Sequence, residues 1–192
     1  MTVGSLPNPR VTDDNDGRSL QTRLIYRPHP AISLGASGAT GAYLSSTLDS
    51  VVPAGTEVES FRQRAAGADL VLSAGRWELR SEVIGTWWSL PAVTDPRLRP
   101  TFTALAWWSE GRVRLWPGVD LTVRGERLSF SDVDTVQGPT PWEAGVSRIE
   151  AGVAAAVHRR VRAKLAWQYN SRPLGGRVRE DHLLVGQLVV WF

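Results

Sequence analysis

Apolar side chains fall on every second position through most of this 192-residue chain. That spacing belongs to a strand with one face turned away from water, and helical spacing is almost absent. From Val161 to Asn170, Val161, Ala163, Leu165, Trp167 and Tyr169 share one face, while Arg162, Lys164, Ala166, Gln168 and Asn170 share the other. The same division runs through Arg148–Val157, Val119–Glu126, Leu105–Leu115 and Trp77–Trp88, and more weakly through Ala66–Ala74 and Leu20–Tyr26. Ile32, Leu34 and Ala36 begin another strand. The chain closes on Leu184, Gly186, Leu188, Val190 and Phe192, all on one apolar face. The expectation is an all-β chain of about nine strands. At Arg127-Leu128 the apolar phase passes to Leu128 and Phe130, which predicts a bulge at a rim.

Several of these runs reach about 10 residues, where strands of globular proteins average about 5 to 6. A tilted strand needs about 9 to 11 residues to cross a bilayer. The connections alternate as well. Short links are expected at Arg27–Pro30, Ala74–Arg76, Trp116–Gly118 and His158–Arg160, and long polar links at 38–63, 89–101, 131–146 and 171–181. Membrane barrels pair short periplasmic turns with longer external loops in this way. A soluble meander has no reason to keep such an asymmetry, although a lipocalin-like barrel shows a weaker form of it.

The charge is +3 from 22 basic and 19 acidic residues, and Lys164 is the sole lysine. Charges so nearly balanced argue against a dedicated nucleic-acid binder. Cysteine is absent, which excludes disulfides, thiol catalysis and cysteine-ligated metals. Nine tryptophans stand against one methionine. Tryptophan collects at membrane interfaces, where its ring is half buried and its N–H stays wet; a Trp-rich soluble core or a sugar-binding face is the competing explanation. No stretch reaches the roughly 20 apolar residues of a membrane helix. Met1–Val11 has neither a basic nor an apolar leader region, so for an exported barrel the true start is expected upstream.

In a barrel the charged faces point inward, because arginine or lysine facing lipid costs about 2 to 4 kcal/mol near the midplane. The expected pore-lining set is Arg80, Glu82, Glu110, Arg112, Arg114, Arg124, Glu126, Arg148, Glu150, Arg162 and Lys164, with cross-strand ion pairs among them. A solvated outer face of a soluble sheet is the plainer reading of the same charges. Trp77, Trp87, Trp107, Trp116, Trp167 and Tyr169 form the expected interface girdle. No constellation points to catalysis, a cofactor or a metal. Glu78 and Glu82 share a strand face about 13 Å apart at about 3.3 Å per residue, too wide for paired-carboxylate glycoside hydrolysis. His29, His158 and His182 lack metal-ligand spacing. Ser81 and Ser109 have no partner histidine in reach by sequence, and Gly35–Gly38 lacks the lysine of a phosphate loop.

Ile149-Glu150-Ala151-Gly152, Trp167-Gln168-Tyr169-Asn170, Gln187 and the closing Trp191-Phe192 resemble the C-terminal hairpins of Gram-negative outer-membrane porins. The likeness is greatest to porins of the phosphate-selective O/P type and related porins, and the Tyr26–Pro30 turn has the same style. The resemblance implies a transmembrane antiparallel up-and-down β-barrel in the bacterial outer membrane. It implies Phe192 as the signal read by the barrel-assembly machinery, and passive passage of small hydrophilic or anionic solutes. Substrate choice is not carried over, because loop lysines and arginines do not cluster here. With the C-terminus periplasmic, 1–17 starts on the external side. An even-stranded barrel then lacks an odd number of N-terminal strands, and 18–192 forms its C-terminal part. A non-channel barrel acting as scaffold or adhesin, and a soluble ligand-binding barrel, are the alternatives. Oligomeric state is left open.

Overall fold

The computed structural model describes residues 17–50, 52–92, 100–174 and 177–192. Nine long strands form one antiparallel up-and-down sheet: β1 (Leu20–His29), β2 (Ile32–Ala42), β3 (Arg62–Ala74), β4 (Trp77–Ser89), β5 (Thr101–Trp116), β6 (Val119–Phe130), β9 (Val146–His158), β10 (Val161–Leu174) and β11 (Arg177–Val190). Each strand pairs with its neighbour in sequence, save that β6 pairs with β9 across a small separate hairpin, β7 (Asp132–Thr135) and β8 (Gly138–Pro141). The sheet is not a closed barrel among the described residues: β1 and β11 are edges, exposed along nearly their whole length. With nine alternating strands, β1 and β11 run in the same direction.

Local chemistry sets the tight connections of β1–β2, β3–β4, β5–β6 and β9–β10, which lie at one end of the sheet, here called the turn end. Gly75 takes φ +60° between β3 and β4, where a two-residue hairpin of the type II′ kind puts glycine first. Pro117 precedes Gly118 at φ +84° between β5 and β6, the order a type II turn needs. His29 Nδ1 accepts from Ala31 N at 3.1 Å, and His158 Nδ1 from Arg160 N at 3.4 Å, so both histidines brace turns.

Several expectations are corrected at the opposite, loop end. The link expected at 171–181 is strand, with Pro173 opposite Val178 and Leu174 opposite Arg177, so β10 and β11 project beyond β9 as a hairpin. Polar residues there mark a solvated strand and not a loop. The first turn lies at Pro30–Ala31, because β1 runs on through Pro28, which an edge strand tolerates. The bulge expected at Arg127-Leu128 is absent: β6 pairs without interruption from Asp120 to Phe130, and the β5–β6 irregularity falls between Arg114 and Trp116. Leu128 and Phe130 change the apolar phase because the charged face of the sheet itself becomes apolar at this end.

The core sits there. Leu44, Val58 and Phe61 bury one another, with Tyr43 and Val52 packed against them, and Val58 is wholly inaccessible. Tyr43 meets Trp88 edge-on at 4.8 Å, and its hydroxyl donates to Ser89 O at 2.7 Å. Burial pushes the Tyr43 hydroxyl up to about 12. Beside Trp88, Phe102 stacks on Phe130 at 5.8 Å and leans on Trp142 at 4.9 Å. Residues 43–50, 52–61 and 131–145 are thus strapped over one end of the sheet as an apolar cap. β1 begins at Leu20, inside the expected 18–192 region, and residues 1–16 of the expected external segment lie outside the described residues.

Candidate functional site: the charged face

The register gathers all eleven expected pore-lining residues on a single face, in rungs across the strands. Nearest the turn end Arg162 stands between Ala156 and Val189, and on the next rung Arg114, Asp120, Ala154, Lys164 and Gln187 stand side by side. Two residues on come Glu78, Arg112, Thr122 and Gly152, then Arg80, Glu110, Arg124, Glu150 and Gln168. Asp69, Glu82, Trp108, Glu126, Arg148 and Asn170 form the fourth rung. Beyond it lie Ile84, Ala106 and Leu128, and then the cap.

The expected cross-strand ion pairs are present. Arg124 meets Glu110 of β5 at 3.9 Å and, along its own strand, Glu126 at 3.0 Å; Arg148 of β9 meets Glu126 at 2.8 Å and also donates to Asn170 Oδ1 at 2.8 Å. Arg80 pairs with Glu78 at 2.7 Å along one strand. Glu82 accepts from Trp108 Nε1 at 2.9 Å, and the Arg124 guanidinium lies 4.4 Å from the Trp108 ring centroid. Glu150 and Lys164 enter no ion pair among the described residues.

The organising residue is Asp120, which the sequence places on this face without singling it out. It is 6 % exposed, and its Oδ2 accepts from Arg112 at 2.7 Å and Arg162 at 2.5 Å, while Arg114 stands 3.8 Å from Oδ1. Arg162 reaches it from β10 across β9, where the intervening residues are Ala154 and Ala156. Arg23 and Asp69 repeat the device at the β1 edge, bonding at 2.8 Å across β2 at Gly35, where any Cβ would collide with the Asp69 carboxylate. Small residues beneath a long charged side chain were the available signal for both bridges.

The opposite face is apolar and open. Trp77, Trp87, Trp107, Trp116, Trp167 and Tyr169 all stand on it; Trp77 and Trp116 flank tight turns, while Trp87, Trp167 and Tyr169 sit toward the loop end. His182 joins Trp167 and Tyr169 in one aromatic stack. Ser81 and Ser109 are cross-strand partners on this face and satisfy each other at 2.7 Å, which gives them a role in pairing. Phe192 lies past the end of β11, fully exposed, while Trp191 N donates to Arg160 O at 2.9 Å. Among the described residues no group of His, Asp and Glu could hold a metal ion. No family model and no curated protein matches the chain.

Proposed function

We propose that this sheet is part of the wall of a porin-like outer-membrane β-barrel, with the charged face lining a water-filled path for passive diffusion of small hydrophilic or anionic solutes. One observation carries the reading. The central strands are 12 to 16 residues long and set a ladder of ion pairs against a face of open Trp, Leu and Val. Lipid accepts the second face and rejects the first. A soluble ligand-binding barrel would have to turn the apolar face inward and the paired charges out, and then the cap would sit on its solvent side.

The working form needs its edges covered, because every backbone group in lipid must be paired. Since β1 and β11 run in the same direction, an all-antiparallel closure takes an odd number of added strands, from a longer chain or another subunit. The resemblance to O/P-type porins, delivery by the barrel-assembly machinery and Phe192 as its signal belong to the same proposal. The apolar cap lies on the charged face and so favours a second reading, a barrel too narrow to conduct that serves as a scaffold or adhesin. Planar-bilayer recording on refolded protein separates them. Stepwise, voltage-linear conductance supports the channel; insertion into vesicles without conductance supports the scaffold; failure to insert overturns both.

A further inference from the structure

The apolar face carries charge at its loop-end rim in a form unlike the paired ladder behind it. Arg62 and Arg64, at the start of β3, point to the apolar side with Ala66, Ala68, Leu70 and Leu72 of the same strand. Neither guanidinium has a hydrogen-bond or ion-pair partner among the described residues, whereas nearly every arginine of the central rungs has one. Between β1 and β4 the surface falls away into a shallow hollow of about 870 Å³. Arg62 and Arg64 stand at its head, Gly38 and Ala66 lie in its floor, and Leu20 and Trp87 wall it. Arg64 is the register partner of both Thr40 and Trp87, so the tryptophan lies directly beside the cationic head. Down the strand this face stays uncharged from Ala66 to Ala74, about 26 Å at about 3.3 Å per residue. That is most of a hydrocarbon core about 30 Å thick, so Arg62 and Arg64 stand at one rim of it.

We propose that this hollow binds one anionic lipid through a headgroup phosphate, clasped by Arg62 and Arg64, with one acyl chain laid over Gly38, Ala66 and Ala68. The site rests on the membrane reading and specifies where the wall selects a lipid. Guanidinium groups match phosphate oxygens two at a time, and two unpaired cations at a bilayer surface draw anionic lipid toward them. The Trp87 ring sits at headgroup depth, where its polar edge stays wet. The charge is what separates this site from a general annulus: it asks for a net negative headgroup, not for any lipid.

Native mass spectrometry of the full chain refolded in neutral detergent tests this, with phosphatidylglycerol and phosphatidylcholine of equal chain length as probes. One phosphatidylglycerol should be retained in preference to phosphatidylcholine. R62Q/R64Q should lower that occupancy at least tenfold. A66L should also lower it, because it fills the floor while leaving both arginines. R159Q/R160Q, at the far end of the sheet, should leave it unchanged. Circular dichroism on each variant establishes that the strands have formed. Equal retention of the two lipids, or phosphatidylglycerol binding unchanged in folded R62Q/R64Q, overturns the site. Flotation with phosphatidylcholine vesicles reports the membrane reading separately. A chain that floats but shows no preference loses only the lipid site; one that does not float loses both.

Discussion

Replacing Asp120 by alanine removes the carboxylate that Arg112 and Arg162 share and leaves two guanidiniums facing each other in a half-buried site. A fully buried ion pair broken from one side costs about 3 to 5 kcal/mol. Both arginines are about a third exposed at the side chain, so about 2 kcal/mol is expected, read as a shift in the urea midpoint of detergent-folded protein. Asp120→Asn keeps an acceptor and should lose less. Gly35 makes a sharper case. Gly35→Ala should cost about 1 to 3 kcal/mol by overpacking, since its methyl group would strike the Asp69 carboxylate. In an Asp69→Ala background the same change should become nearly neutral. A cycle of the two substitutions that shows no coupling would mean that β1 is not tethered in this way.

The cap, rather than any single strand, holds the conventional core found among the described residues, and its behaviour should differ from that of the sheet. Trp88→Ala opens a cavity beneath Tyr43 and should cost about 3 kcal/mol or more, seen as early loss of near-ultraviolet circular dichroism with the strand signal retained. The Tyr43 hydroxyl titrates near 12 in the folded chain against 10 as its ordinary value. The folded state therefore holds that proton more tightly, and the associated stability is complete below pH 10 and fades between pH 10 and 12. Tyr43→Phe should remove this part of the pH dependence and about 1 kcal/mol with the lost hydrogen bond. The strands themselves were legible because period two is a direct image of a two-faced sheet, as in β10, where the sequence names each face correctly. The cap was not. Trp88, Phe102 and Phe130 lie on the charged face by parity, and only the folding-back of distant connections makes that place dry. The 171–181 segment was misread for a related reason: Arg177, Arg179, Glu180 and Asp181 look like a solvated loop, yet both faces of a projecting hairpin are solvated too. Among site residues, the sequence could rank charges by face but not by partner, so Asp120 was indistinguishable from Glu150.

Over its described residues the molecule is one nine-stranded sheet with a face of paired charges and an open apolar face, joined at one end to a small core. Such an object should be insoluble as a monomer in water. Sedimentation velocity after dilution out of detergent is expected to give large aggregates, and a sharp monomer peak in plain buffer would count against the membrane reading. The direction of the two edge strands carries a further consequence. If β1 and β11 of this chain meet without any added strand, or meet those of a second copy held the same way up, the joint is parallel. Parallel ladders have slanted bonds and are slightly weaker per residue than the antiparallel ladders everywhere else in the wall. The joint would then be a fault line, the place where the wall parts first under lateral tension, and its amides would exchange with deuterium before those of β4, β5 and β6. A wall completed by an odd number of strands has no such line.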